Sequence, residues 1–146
     1  MKLFFYSALK MKVVYPDFID RIFKKLHELP FELIEKQLEK AWIDDMGSWT
    51  KEQTIQCAKD SIGAINNSDF CLIEASIPSL EVCNQLYHCV SGNKPSIVLY
   101  QGNDVPFMLD QEKYSCVVLA KYDKSNLEEV VESSIKKAIK LVKDKH

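Results

Sequence analysis

Apolar residues along this chain fall into two alternating rhythms. Short runs rich in apolar residues occur over residues 2–6, 31–35, 70–75, 96–100 and 115–120. Such runs predict strands covered on both faces. Between them lie stretches in which apolar positions recur every three or four residues, as expected of amphipathic helices. Phe18, Ile19, Ile22, Phe23, Leu26 and Leu29 define one, with Pro16 in its first turn and Pro30 closing it. Thr50 followed by Gln53 makes a capping box, and Ile55, Ala58, Ile62 and Ile65 then form one stripe through a helix ending near Asn66-Asn67. A helix over 80–90, a Gly92-Asn93-Lys94-Pro95 turn and a long final helix over 127–142 complete the pattern. Residues 37–42 predict a short helical or irregular excursion. Residues 101–114 form the longest irregular connection, with room for a helical turn or a flap.

Strict alternation of strand and helix predicts an α/β fold with a parallel sheet, right-handed crossovers and helices on both faces. Five strands in the order 2-1-3-4-5 give the flavodoxin-like, or Rossmann-like, three-layer sandwich, and 146 residues suffice for one such domain, residues 1–146. In that order the topological switch point lies between the first and third strands. Their carboxyl ends, at Tyr6-Ser7 and Ala75-Ser76, then face one crevice, where open α/β sheets place ligands.

Composition narrows the function classes only modestly. The formal charge of −2 gives no electrostatic case for a nucleic acid polymer, and lysines 136–145 read as the solvated face of the last helix. No apolar run approaches the ~18 residues of a membrane span, and the first six residues read as a strand, not a leader. Five cysteines without a CxxC pair suit free thiols in a reducing compartment, so a cytoplasmic protein is expected. Three histidines without metal-ligand spacing to the cysteines imply no metal, and no cofactor is implied either.

The most informative segment runs from Ser68-Asp69-Phe70 through Glu74-Ala75-Ser76-Ile77-Pro78-Ser79 to Leu86: a buried strand, a Pro-Ser turn and a helix start. Asp69, Glu74, Pro78 and Ser79, with the apolar frame of Leu80, Val82 and Leu86, resemble the nucleoside 2-deoxyribosyltransferase-like family, which includes the deoxynucleoside 5′-monophosphate N-glycosidases. Leu3-Phe4-Phe5-Tyr6-Ser7 is similar to that family's first strand and its phosphate-facing serine. The resemblance implies a nucleoside or nucleotide ligand, and a homo-oligomer formed through the helix after the Pro-Ser turn and its neighbour. It also implies double-displacement chemistry, in which a helix glutamate attacks the anomeric carbon of a 2-deoxyribosyl group.

Both carboxylates of that mechanism are altered here. The nucleophile position is Gln85, whose carboxamide keeps the hydrogen-bonding shape of glutamate without its charge or nucleophilicity. The position of the family's orienting aspartate is Ser61; adjacent Asp60 is rotated about 100° around the helix. Glu81, one turn before Gln85, is a candidate replacement carboxylate, although an acidic residue in a first turn ordinarily complements the helix dipole. Ser7, Lys10, Glu74 and Ser79 are candidate ligand-binding residues. Glu74 stands out because an acidic residue ending a buried strand is uncommon unless paired or functional. The family's glycine-rich phosphate turn is replaced by Ser7-Ala8-Leu9-Lys10-Met11-Lys12, read as a loop. Asp69 lies at the wrong end of the sheet, and His88, Cys83 and Cys89 read as packing.

The expectation is therefore a nucleoside- or nucleotide-binding protein that lacks the family's mechanism. The alternative is an active N-glycosidase or deoxyribosyltransferase using Glu81. A lesser one is a Toll/interleukin-receptor-like NAD-binding domain, which Ser79-Leu80-Glu81-Val82-Cys83 loosely echoes.

Overall fold

The computed structural model describes residues 1–34, 49–102 and 114–144. Five strands form one parallel sheet: β1 (Lys2–Ser7), β2 (Glu32–Ile34), β3 (Phe70–Glu74), β4 (Ser96–Tyr100) and β5 (Val117–Lys121), in the order β2-β1-β3-β4-β5. This is the flavodoxin-like order read from the alternation. The helices are α1 (Leu9–Val14), α2 (Pro16–His27), α3 (Lys51–Asn67), α4 (Leu80–Ser91) and α5 (Leu127–Lys143).

Side-chain alternation divides the core between the two faces of the sheet. Leu3 and Phe5, Phe70 and Leu72, Ile97 and Leu99, and Val118 and Ala120 pack against Ile19, Ile22 and Leu26 of α2 and the apolar stripe of α5. Phe4, Tyr6, Cys71, Ile73 and Val98 pack on the other face with Ala64 and Ile65 of α3 and Val82, Leu86 and Cys89 of α4. The connection after β1 thus leaves toward one face and that after β3 toward the other, which opens the switch point between them.

Local signals account for most helix ends. The capping box forms in full: Thr50 Oγ1 accepts from Gln53 N at 3.2 Å, and Gln53 Oε1 accepts from Thr50 N at 2.8 Å. Pro16 occupies the first turn of α2. The outer surfaces of α2 and α5 are tied by a bidentate Arg21–Glu128 pair, both contacts at 2.6 Å, and by Lys25–Glu132 at 2.9 Å.

Two expectations need correction. The segment Ser7 to Lys12, read as a loop, instead ends β1 and enters α1 (Leu9–Val14), held by Met11 N to Ala8 O at 2.9 Å and by the fully buried Met11 side chain. One buried residue in a single short turn leaves no periodic pattern to read. The predicted α3 stripe is buried only at its end: Ala64 and Ile65 are in the core, whereas Ile55 is 45 % exposed and Ala58 is exposed. The packing of α3 on α4 and the sheet covers only its last turns among the described residues. The predicted excursion over 37–42 and most of the 101–114 connection lie outside the described residues. No helix among them is long and apolar enough to cross a membrane.

Candidate functional site

Ser7 and Glu74 are the last residues of β1 and β3 and are register partners in adjacent parallel strands. Following Phe5 and Leu72 by two residues, they lie on the face toward α2 and α5. Both are buried, at 3 % and 0 % exposure. Glu74 is the only buried carboxylate among the described residues.

Its two oxygens are treated very differently. Oε1 accepts from Ser76 N at 3.1 Å, from Ser76 Oγ, and from Tyr122 Oη at 2.9 Å. Gln101 closes the network, donating from Nε2 to Tyr122 Oη and from its backbone N to Ser76 Oγ, each at 3.0 Å. Oε2 has no hydrogen-bond partner among the described residues. Burial pushes the Glu74 carboxyl above its ordinary range, against the opposing effect of the Ser76 and Tyr122 bonds. Burial and the neighbouring Glu74 charge likewise raise the Tyr122 phenol, so it stays protonated as a donor.

The other candidates divide by environment. Gln85 is buried on α4, and its Oε1 is unpartnered. Ser61 is buried on α3 and bonded to the Cys57 thiol, which burial raises. Asp60 is exposed and accepts from Gln56 Nε2 at 2.9 Å, so it does not replace the aspartate at the Ser61 position. Glu81 is exposed although Gln85, one turn on, is buried; the shared helix face does not give the two a shared environment. Ser79 is the N-cap of α4, accepting from Val82 N at 3.1 Å. Lys10 is exposed on α1, in place of an open phosphate turn. Asp69, at the amino end of β3, accepts from Lys2 N at 2.6 Å.

Three buried side-chain polar atoms lack a partner among the described residues: Ser7 Oγ, Glu74 Oε2 and Gln85 Oε1. All three belong to residues singled out from the sequence. Ser76, Gln101 and Tyr122 were not, although a signal exists. In β1, β3, β4 and β5, extending the series that faces α2 and α5 by two residues takes Leu3-Phe5 to Ser7, Phe70-Leu72 to Glu74, Ile97-Leu99 to Gln101 and Val118-Ala120 to Tyr122. Every series ends in a polar group at the carboxyl edge.

The more open concavities lie elsewhere. One of about 480 Å³ is lined by Ser68, Asp69, Gly92 and Lys94 at the amino ends of the strands, and one of about 370 Å³ lies between β5 and α5. Neither contains an unpartnered buried group. No group of three His, Cys, Asp or Glu side chains among the described residues is placed to hold a metal ion.

No protein-family model matches the sequence, and no curated protein matches it. Among solved structures, the chain is similar to the CMP N-glycosidase BcmB of Clostridium botulinum, with a TM-score of 0.63 and 17% identity over 93% of this chain and 98% of that one. It is also similar to the Francisella novicida lysine decarboxylase LdcF, with a TM-score of 0.54 and 12% identity, over 97% of this chain but only 17% of that one. The likeness in both cases is one of fold, and the first is to an N-glycosidase along nearly its whole length.

Proposed function

We propose that this chain binds a nucleoside or nucleotide at the carboxyl ends of β1 and β3 and lacks the double-displacement mechanism of nucleoside 2-deoxyribosyltransferase-like enzymes. The observation that carries the reading is the pair of buried polar atoms on Ser7 and Glu74, register partners at the carboxyl ends of β1 and β3, that have no partner among the described residues; Gln85, the third such residue, belongs to α4, which packs on the other face of the sheet. Each such atom costs about 1–3 kcal/mol when left unsatisfied, and a ligand supplying the missing partners recovers that cost. The fold shared with a CMP N-glycosidase supports the ligand class.

The chemistry argues against inherited catalysis. A carboxamide at position 85 cannot form a glycosyl ester, and serine at position 61 cannot supply a carboxylate. Glu81 is exposed and lacks the buried setting of Gln85. Because Ser7, Glu74 and Gln85 are at most 3 % exposed, ligand entry requires the residues above them to part.

Proton NMR of the purified chain with deoxynucleosides, their 5′-monophosphates, ribonucleotides and NAD, recording saturation transfer and free base together, tests the proposal. Saturation transfer from a nucleoside or nucleotide without base release is expected. Base release would replace it with an N-glycosidase, transfer from NAD alone would favour the NAD-binding alternative, and silence in both channels would remove the ligand class.

A further inference from the structure

The polar row at the carboxyl edge of the sheet has an uneven hydrogen-bond pattern. Ser76 and Tyr122 direct three donors at one oxygen of Glu74, and Gln101 fixes both donors in turn. This holds Oε1 in place while leaving Oε2 without a partner among the described residues. Ser7 Oγ, on the register partner of Glu74, likewise has no partner among the described residues. Adjacent strands are roughly 4.8 Å apart, so the two residues that carry these atoms are neighbours on rigid elements at the switch point and face the same side of the sheet.

Their chemistry defines the complementary ligand. A carboxylate oxygen accepts only, and a serine hydroxyl both donates and accepts. A phosphate presents acceptors and negative charge and does not fit beside Oε2. Two neighbouring hydroxyl groups do, one donating to Oε2 and the other exchanging a hydrogen bond with Ser7. Resting on the nucleoside-binding reading above, we infer that Ser7 and Glu74 form a receptor for the vicinal diol of a ribosyl group, with Tyr122 and Ser76 as positioning residues. The chain then selects ribonucleosides over 2-deoxyribonucleosides, whereas the sequence resemblance implies 2-deoxyribosyl ligands.

Calorimetric or saturation-transfer titrations of the full chain with adenosine, guanosine, cytidine and uridine, against their 2′-deoxy and 3′-deoxy forms, read this directly. Loss of either hydroxyl weakens binding by at least about tenfold, because a buried partner is left unpaired. Ser7→Ala lowers the ribo-to-deoxy ratio toward unity, weakening the ribo form more than the deoxy form. Tyr122→Phe lowers the same ratio, an effect that a purely structural role does not produce. Should either variant fail to fold, the ratio in the native chain still decides. Ribo and deoxy forms bound within about threefold of each other would overturn the diol receptor and leave the nucleoside reading standing. Absence of binding by every nucleoside would remove both. Retained selectivity in Ser7→Ala with a lowered melting temperature would show that the hydroxyl bonds within the protein, and would equally overturn the assignment.

Discussion

Tyr122→Phe is the most incisive test of the network around Glu74, because the substitution removes one oxygen and keeps the ring. The ring packs edge-on against Phe18 at 5.7 Å, a contact that phenylalanine preserves. What is lost is the bond from Tyr122 Oη to Glu74 Oε1 at 2.9 Å, and with it the acceptor for Gln101 Nε2. Gln101 is partly exposed and can turn to water, so the cost falls mainly on the carboxylate. A hydrogen bond to a charged group contributes about 1.5–3 kcal/mol, against about 0.5–1.5 kcal/mol for a neutral pair. For 146 residues, an unfolding entropy of about 2.1 cal/mol/K per residue converts the charged figure to a fall of about 5–10 °C in melting temperature at pH 7. The pH dependence supplies the sharper criterion. The folded carboxyl of Glu74 already titrates above its ordinary value, and the Tyr122 bond opposes that rise. A raised carboxyl contributes stability that is present below the unfolded value and is lost as pH rises through the folded one. Removing the hydroxyl raises the folded value further, so the variant loses more stability than the native chain above the ordinary carboxylate range. Its deficit should shrink toward the neutral-pair value in acid. Urea unfolding followed by circular dichroism at pH 7 and near pH 4 measures both quantities. A deficit below about 0.5 kcal/mol, or one equal at the two pH values, would refute the claim that this phenol holds an ionisable buried carboxylate.

Other perturbations address separate parts of the molecule. Arg21→Ala breaks the bidentate pair that holds the Glu128 carboxyl at about 2, yet Arg21 is partly exposed and Glu128 exposed, so the loss should stay under about 1 kcal/mol. Because that carboxyl is depressed, its contribution is present above the ordinary carboxylate range and disappears as pH falls toward 2; about 1 M NaCl should also erase most of it, as unfolding curves with added salt will show. Ser79→Ala removes the cap on Val82 N and should cost about 1 kcal/mol in thermal melts; nucleoside affinity unchanged after that loss would assign Ser79 to capping alone. Gln85→Glu combined with Ser61→Asp restores both carboxylates and should produce base release from a 2-deoxynucleoside in the NMR assay; a folded, silent double variant would count against descent of this site from an N-glycosidase. Leu80 and Tyr87 on α4, at 86 % and 66 % exposure, are proposed as part of a homo-oligomer contact, so light scattering should give a multimer that Leu80→Asp with Tyr87→Asp reduces to monomer. A monomeric native chain would dispose of that proposal.

What could be read from the sequence followed how local each signal is. The strand order is legible because five short apolar runs separated by helical stripes leave few right-handed arrangements. The Thr50 cap is legible because both of its bonds close within four residues. The exposure of Ile55 and Ala58 was not, since the spacing of an apolar stripe states which face a helix offers and not whether another element covers it. The six residues of α1 left too little pattern, with only Met11 buried. In the candidate site, Glu74 was conspicuous as a carboxylate ending an apolar strand, and Ser7 followed from the switch point. The group that holds Glu74 comes from 48 residues farther along the chain and crosses β4 to reach it. Such a contact exists only once the sheet is assembled.

That separation bears on why Glu74 persists without the carboxylate chemistry that the resemblance implies at positions 61 and 85. If it served only to complete the network, glutamine would accept the same bonds from Ser76 and Tyr122 without the burial of an ionisable group. Glu74→Gln should therefore be more stable than the native chain at neutral pH and converge with it in acid, where the native carboxyl is protonated. The native residue accepts a stability cost that the amide avoids. A bare, charged oxygen at the switch point is useful chiefly to a ligand that donates a hydrogen bond to it. Equal stability of the two chains across the pH range would remove that reasoning, because the carboxylate would then carry no cost for a ligand to offset.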